Sequence, residues 1–199
     1  MADLEKTGKN LEGRGFRVHR FASGAEAAEF LVQTLHGTSI GIGGSVTIDT
    51  LGVYDRLCGS NEVFWHWKNH APETRERAGK AETYLCSANG VSENGEIVNI
   101  DGFGNRVAGT IYGPERVFLV VGKNKIAPDL TGAIDRARNI AAPLNARRLN
   151  RHTPCAVGEP RCHDCRSPEK VCGVMTVFFM PPTSIKEFHV ILVDKTLGY

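Results

Sequence analysis

The pattern of hydrophobic and polar positions divides the chain into strand-like and helix-like segments that alternate. Short apolar runs rich in β-branched and aromatic residues predict strands at residues 16–21, 38–42, 62–67, 84–86, 117–121, 174–180 and 188–193. Apolar residues three or four positions apart predict helices at residues 2–12, 23–35, 46–57, 72–81, 129–140 and 144–149. Such alternation favours an α/β fold with a mostly parallel sheet and helices on both faces.

Three of the predicted strands end in residues that are suited to ligand binding. The runs at 84–86 and 117–121 lead into Ser87–Asn89 and Lys123–Lys125, and the strand at 38–42 leads into Gly43-Gly44-Ser45. Ligands of open α/β sheets bind outside the carboxyl ends of the strands. We therefore predict that the strands ending near Ile42, Cys86 and Val121 lie in one sheet, with these ends on the same side.

A dense cluster of small polar residues, from Asn99 to Arg106, lies between two of these strands and follows a hairpin-type turn at Asn94-Gly95. Asn and Asp side chains can cap their own turn, but a guanidinium is hard to explain in that way. Glycines after a strand let backbone N–H groups approach an anion, the alternative being a tight turn in which Ser45 caps a helix. The candidate ligand-binding residues are Gly43, Gly44, Ser45, Asn89, Asn99, Asp101, Asn105, Arg106, Lys123 and Lys125.

The expected ligand is a small anion. Arg106 would donate charge-assisted hydrogen bonds to it, so that Arg106→Ala weakens binding by about 1.5–3 kcal/mol with less effect on stability. Asp101 would oppose a bare anion and therefore favours a ligand that also carries a hydroxyl. We expect one or two of four further arginines at the site: Arg136, Arg138, Arg147 and Arg148. Trp65 and Trp67 share one face and would shape a pocket or pack in the core.

Four cysteines follow the spacing Cys155-x6-Cys162-x2-Cys165-x6-Cys172 within residues 150–173, which we call the cysteine loop. One tight pair with two outlying cysteines suits a four-thiolate metal site, holding either zinc or an iron–sulfur cluster. His152 or His163 could replace one ligand, and the alternative is a metal-free thiol loop. Cys58 and Cys86 lie in apolar surroundings and are predicted core residues.

Composition narrows the class of protein. The net charge of +2 over 199 residues argues against nucleic-acid binding, and no apolar run is long enough to span a bilayer. The first residues lack the apolar core of a signal peptide, so we expect a cytoplasmic protein. We predict a single domain over residues 1–199, with a helix–strand–helix at 1–37 and the cysteine loop inserted before the last strands. Homo-oligomerisation is left open.

Several separate motifs together resemble the LUD-domain family of lactate-utilisation-type proteins. They are GIGGSVTID, SANGVSENGEIVNIDGFGNRVAG, GPERVFLVVGKNKI, RARNIAAPLNARRLN and the cysteine loop itself. The resemblance implies the fold shared with ribose-phosphate isomerases and coenzyme A transferases, in which loops like Gly43–Ser45 and Asn99–Arg106 border the ligand crevice. It also implies an association with L-lactate oxidation, alongside iron–sulfur and flavin-type partner subunits.

Three function classes follow from these features. The first is a protein that binds a small anionic metabolite and serves lactate or related organic-acid utilisation as an accessory subunit. The second is a stand-alone isomerase or acyl/CoA-transfer enzyme acting on a phosphorylated or carboxylated substrate. The third is a metal- or redox-dependent interaction module that acts through the cysteine loop. No residue stands out as acid, base or nucleophile, so the sequence leaves open whether the protein is an enzyme.

Overall fold

A computed structural model describes residues 3–199. The helices are α1 (Leu4–Gly13), α2 (Gly24–Thr34), α3 (Val46–Leu51), α4 (Tyr54–Cys58), α5 (Thr74–Lys80), α6 (Asn105–Ile111), α7 (Leu130–Arg136), α8 (Ala142–Arg148) and α9 (Pro154–Val157). The strands are β1 (Arg17–Phe21), β2 (Ser39–Ile42), β3 (Glu62–Trp65), β4 (Thr83–Cys86), β5 (Gly90–Ser92), β6 (Ile97–Asp101), β7 (Arg116–Gly122), β8 (Ile126–Ala127), β9 (Val174–Phe178) and β10 (Glu187–Val193). A 3-10 turn covers Lys123–Lys125, and a π-helical segment, Ala137–Ala141, joins α7 to α8.

The main sheet is entirely parallel and has the strand order β1-β10-β7-β4-β2-β3. Strands β2, β4 and β7 are neighbours in it, with Ile42 beside Leu85 and Cys86 beside Leu119. The carboxyl ends of these three strands therefore meet on one side of one sheet. This confirms the predicted fold class and the predicted common edge.

Helices cover both faces of the main sheet because successive strand residues point to opposite sides. In β7, Val117, Leu119 and Val121 belong to a core packed with α1 and α5, whereas Phe118 and Val120 belong to a core packed with α2, α3 and α4. Every one of these β7 side chains is fully buried. The continuous apolar run in the sequence thus reflects burial on two faces.

A second, four-stranded sheet has the order β8-β5-β6-β9. Its turn at Gly95 has φ 91°, the left-handed conformation expected of the Asn94-Gly95 pair. Strand β9 lies within the predicted strand at 174–180, but it pairs antiparallel with β6 and stands outside the main sheet. Val98 and Ile100 of this sheet pack with α7, the π-helical segment and α8 in a third core.

Some local predictions differ from the structure. The single helix predicted at 46–57 is two helices, because Gly52 ends α3 in a left-handed conformation with φ 64°. The helix α6 was not predicted, since its glycine-rich start looks like a loop. Cys58 is exposed at the end of α4, so its predicted core position is wrong, whereas Cys86 is buried as predicted. Ala2, the predicted start of the first helix, lies outside the described residues.

Within residues 3–199, no helix combines the length and the apolar character that a membrane crossing would require.

Candidate functional site

A cavity of about 880 Å³ opens at the carboxyl ends of β2, β3 and β4. Its far wall is formed by α8 and by residues 168–171 of the cysteine loop. Among the side chains that line it are those of Ser45, Thr47, His66, Trp67, Ser87, Asn89, Asp101, Asn105, Arg106, Lys125, Asn145, Arg148 and Tyr199. The walls therefore come from many parts of the chain that are distant in sequence.

Most of the predicted ligand-binding residues line this cavity: Gly44, Ser45, Asn89, Asp101, Asn105, Arg106 and Lys125. Three others do not. Gly43 lies against Arg106 and Tyr84, and Asn99 is fully buried beneath the wall. Lys123 points away and its Nζ pairs with Asp194 at 2.9 Å.

Ser45 fulfils the alternative role considered for it. Its Oγ accepts a hydrogen bond from the backbone N–H of Ile48 at 3.3 Å and so caps α3. The glycine turn therefore starts a helix, and Ser45 contributes to the cavity wall from that capped position.

The guanidinium of Arg106 is held by four neutral acceptors. Nη1 donates to the backbone oxygen of Ser87 at 3.1 Å and to Asn99 Oδ1 at 2.9 Å, and Nη2 donates to Asn89 Oδ1 at 2.8 Å and to the oxygen of Ile100 at 2.5 Å. These bonds join the end of β4 to β6. Arg106 thus organises the cavity wall, which accounts for a guanidinium within a polar turn.

Asp101 begins α6. Its carboxylate accepts hydrogen bonds from the backbone N–H groups of Phe103 at 3.2 Å, Arg106 at 3.0 Å and Val107 at 3.2 Å. A negative charge at a helix start is favourable, and a carboxylate has about four acceptor positions. Asp101 can therefore accept a ligand hydroxyl while it caps the helix.

Lys125 lies at the floor of the cavity and is only 3% exposed. Its Nζ donates to Thr47 Oγ1 and Ser87 Oγ, both at 2.8 Å, and to the backbone oxygen of Ala88 at 3.2 Å. Burial lowers the pKa of Lys125 well below its ordinary value, and the nearby charges of Arg136 and Arg106 lower it further. A buried amine at a cavity floor is a candidate functional group.

Arg136 is the third cation beneath the cavity. It is buried, its Nε donates to the backbone oxygen of Asn124 at 2.7 Å, and its Nη1 donates to that of Asn89. Burial lowers the pKa of Arg136 to about 10. Among the described residues, neither Arg136, Arg106 nor Lys125 forms an ion pair, so neutral groups supply all of their hydrogen-bond acceptors.

The cavity wall as a whole is rich in positive charge, with seven Lys and Arg side chains against three Asp and Glu. Of the three acidic residues, Asp49 is paired with Lys68 at 3.3 Å. An excess of one sign of charge in a cavity concentrates ligands of the opposite sign. The wall is therefore suited to an anion.

The four further arginines fall into two pairs. Arg148 lines the cavity, where its guanidinium stacks on the Trp67 ring at 4.5 Å, and Arg136 lies beneath it. Arg138 and Arg147 instead contact the cysteine loop.

His66, Asn145 and Tyr199 also line the cavity, although they were not among the residues predicted to bind a ligand. His66 Nδ1 is buried without a hydrogen-bond partner among the described residues, and burial, followed by the charge of Arg75, lowers the pKa of His66. Its position directly after a strand and beside Trp67 was the sequence feature that could have indicated a place in the cavity wall. No sequence feature indicated Asn145 or Tyr199. They reach the cavity only because α8 packs beside it and because the C-terminal residues fold back against it.

All four cysteines of the cysteine loop are free and half-buried. Burial raises the pKa of Cys172, Lys170 opposes this, and the charges of Cys162, Cys165 and Cys155 raise it further. Cys172 therefore lies within range of the charges of the other three sulfurs. Over residues 3–199, however, no group of three or more His, Cys, Asp or Glu side chains is arranged to hold a metal ion.

Comparison with known proteins gave two matches. A sequence model of the LUD domain matches residues 4–193. The crystal structure of a DUF162 family protein from Deinococcus radiodurans is similar, with a TM-score of 0.56 and 14% identity over 96% of this chain and 95% of the other. At this identity the structural similarity supports the fold alone. A search of curated proteins found no match.

Proposed function

Because the chain belongs to the LUD domain family, we propose that its cavity binds a small organic anion that carries a hydroxyl group. In this proposal the protein serves lactate or related organic-acid utilisation in the cytoplasm. The observation that carries the proposal is the cationic floor, formed by Lys125, Arg106 and Arg136 without a carboxylate partner among the described residues.

Buried cations without a counter-charge are costly, because burial removes them from water and they repel one another. A ligand carboxylate or phosphate would supply the missing negative charge. Lys125 lines the cavity floor, so its positive charge would attract the anion even though its three N–H groups, like the guanidinium donors of Arg106 and Arg136, are donated to protein oxygens. Arg148 would face the same anion from the opposite wall.

A hydroxyl on the ligand would have its own partners. Asp101 keeps acceptor capacity beyond its three backbone bonds, and His66 Nδ1 has no partner among the described residues. A hydroxy acid combines this hydroxyl with a carboxylate in one small molecule.

Other subunits would then carry out the electron transfer. Oxidation of a hydroxy acid to an oxo acid releases two electrons and two protons, and the family resemblance implies flavin-type and iron–sulfur partners that could accept the electrons. The present chain would then bind and orient the organic acid as an accessory subunit.

Calorimetric titration with L-lactate, D-lactate, glycolate and inorganic phosphate tests the proposal. We expect Lys125→Met to weaken binding by about 1.5–3 kcal/mol, which is roughly 10- to 150-fold, because the positive charge at the cavity floor is lost. Lys123→Met is the matched control, since this lysine is nearby in sequence but lies outside the cavity and is paired with Asp194. Equal affinity of the unmodified protein, Lys125→Met and Lys123→Met would contradict the proposed anion site. So would the absence of binding of any of these anions.

A second candidate is a stand-alone isomerase or acyl-transfer enzyme. The observation that favours it is the 2.8 Å hydrogen bond between Lys125 Nζ and Ser87 Oγ, because a lysine with a lowered pKa can accept a proton. In the present geometry Ser87 Oγ donates to the backbone oxygen of Val120 at 2.6 Å, so its proton points away from Lys125. Turnover of ribose 5-phosphate or an acyl-CoA by the isolated protein, abolished in Lys125→Met, would favour this enzyme over the accessory subunit.

A further inference from the structure

We propose that the free edge of strand β9 is a dimerisation surface, at which β9 pairs antiparallel with β9 of a second copy of this chain. Strand β9 covers Val174–Phe178 and stands at the end of the second sheet, with β6 as its one paired neighbour among the described residues. An unpaired strand edge presents a row of backbone N–H and C=O groups that can pair with another extended chain. Pairing at this edge does not depend on which ligand the cavity binds.

The three other sheet edges in residues 3–199 are protected against pairing, whereas β9 is not. Strand β1 carries two arginines, and β3 begins at Glu62, which pairs with Arg77 at 2.6 Å. Strand β8 contains two residues only. Charged side chains and short length are common means by which proteins block an edge. Strand β9 has neither a charge nor a proline, and the whole segment 174–180, VMTVFFM, is uncharged.

The segment 174–180 also exposes large apolar side chains. Val174, Met175, Phe179 and Met180 are 44%, 36%, 55% and 66% exposed, respectively. They are four of the eleven large apolar side chains that are exposed in residues 3–199. A short, uncharged segment rich in β-branched and aromatic residues readily pairs with copies of itself. Apolar contacts therefore favour association at the same place as the unpaired strand edge.

The hydrogen bonds of β6 show which backbone groups of β9 are free. The oxygen of Val98 accepts from the N–H of Asn89 at 3.0 Å, and the N–H of Ile100 donates to Asn89 Oδ1 at 2.9 Å. Val98 and Ile100 therefore direct their backbone groups away from β9. Because this direction alternates along an antiparallel strand, Asn99 faces β9 and exchanges backbone hydrogen bonds with Thr176, its partner in the register.

The same alternation applies along β9 itself. Since Thr176 bonds to β6, its neighbours Met175 and Val177 direct their N–H and C=O groups to the free edge. Among the described residues, no turn, loop or side chain forms a hydrogen bond with these four groups. The next outward carbonyl, that of Phe179, accepts from Arg14 Nη1 at 3.2 Å, so the open stretch ends there.

This open stretch is complementary to a second copy of itself. A two-fold axis at Thr176 would place Met175 opposite Val177 of the second copy, each pair exchanging both of its backbone hydrogen bonds. The two Thr176 residues would then be the non-hydrogen-bonded pair, in which side chains lie closest. Thr176 Oγ1 is buried without a hydrogen-bond partner among the described residues, and the facing hydroxyl would supply one. A second copy thus satisfies both the backbone groups and this side chain.

Sedimentation velocity over about a hundredfold range of concentration tests the dimer, because the unmodified protein should shift from monomer to dimer by mass action. Met175→Lys should stay monomeric, since a charge on an edge strand opposes pairing, and the exposed position lets the monomer fold. Leu144→Lys in α8 is the matched control. Leu144 has the same 36% exposure but lies on no sheet edge, so this variant should dimerise as the unmodified protein does.

Two proline variants separate the free edge from the pairing with β6. Met175→Pro removes an N–H that faces the free edge, so the dimer should be lost. Thr176→Pro removes an N–H that bonds to β6 and should therefore lower the melting temperature of the monomer more than Met175→Pro does.

Amide exchange in the unmodified protein makes the same distinction without a substitution. The N–H groups of Met175 and Val177 should exchange at least about tenfold more slowly at high than at low concentration, whereas that of Thr176 should be protected at both. The β9 dimer would be overturned by a protein that is monomeric at every concentration or by a dimer that Met175→Lys leaves unchanged. Exchange at Met175 and Val177 that does not depend on concentration would overturn it as well.

Discussion

At the scale of single residues, the largest difference between the sequence-based prediction and the structure concerns Arg106. A guanidinium in a polar turn suggested a direct ligand for an anion, yet its four bonds to protein oxygens make it a brace between β4 and β6. Lys125, which looked like one of two loop lysines, is instead the buried amine of the cavity floor. Arg106 thus has a structural role where a ligand contact was predicted, whereas Lys125, also a predicted ligand residue, forms the cavity floor.

We accordingly expect Arg106→Ala to lower the free energy of unfolding by about 3–4 kcal/mol, since four hydrogen bonds at roughly 1 kcal/mol each are lost. Urea unfolding measures this. Arg75→Ala is the control, because Arg75 also lines the cavity but stacks on the exposed Phe103 ring at 4.9 Å, and we expect a loss below about 1 kcal/mol. A variant that keeps full stability and loses only anion binding would restore Arg106 as a direct ligand.

At the scale of elements, close contacts between backbones position the cavity walls. Strand β2 passes directly under α5, so that a Cβ on Gly41 would lie 2.0 Å from the backbone oxygen of Ala78. This contact sets the distance between α5 and the sheet. The sequence shows a glycine in a strand, but not which helix requires it.

We expect Gly41→Ala to destabilise the protein by about 2–3 kcal/mol, because the added methyl group must push α5 away from the sheet. The control is Gly79→Ala within α5, where a Cβ meets nothing within 4 Å. That substitution should stabilise by about 0.5–1 kcal/mol, the usual helix preference for alanine. Thermal unfolding of the pair tests the contact, and similar effects in both variants would contradict it.

At the scale of the whole molecule, burial of neutral histidines links stability to pH. His189 in β10 stacks on Phe118 at 4.2 Å and its Nδ1 lies 2.9 Å from His19 Nε2 in β1. Burial lowers the pKa of both below the ordinary 6.5, while Glu187 partly opposes this at His189 and Arg17 reinforces it. The folded protein therefore takes up protons less readily than the unfolded chain.

It follows that stability is lost as pH falls below about 6.5, because the unfolded chain binds protons first. We expect His189→Phe to reduce the slope of melting temperature against pH in that acidic range. His36→Gln, at an exposed loop position, should leave the slope unchanged. Melting curves across this range provide the measurement, and an unaltered slope in His189→Phe would show that other groups control acid sensitivity.

The sequence by itself determined the α/β alternation, the parallel core and the edge at which Ile42, Cys86 and Val121 end. These follow from local periodicity, since strands buried on both faces read as continuous apolar runs. It also located seven residues of the cavity wall, because polar residues after buried strands have few other places to lie. The separate second sheet was missed, since short strands such as β5 and β8 are too brief to give a period.

Only the tertiary structure decided which charged groups are buried and what they contact. The roles of Arg106 and Lys125 depend on oxygens contributed by other segments, namely those of Thr47, Ser87, Asn89 and Ile100. Likewise, the contact between Gly102 and Val171 joins the cysteine loop to the cavity across the fold. Side-chain type and spacing are local properties, whereas burial and hydrogen-bond partners arise from residues distant in sequence, so they become defined only when the chain has folded.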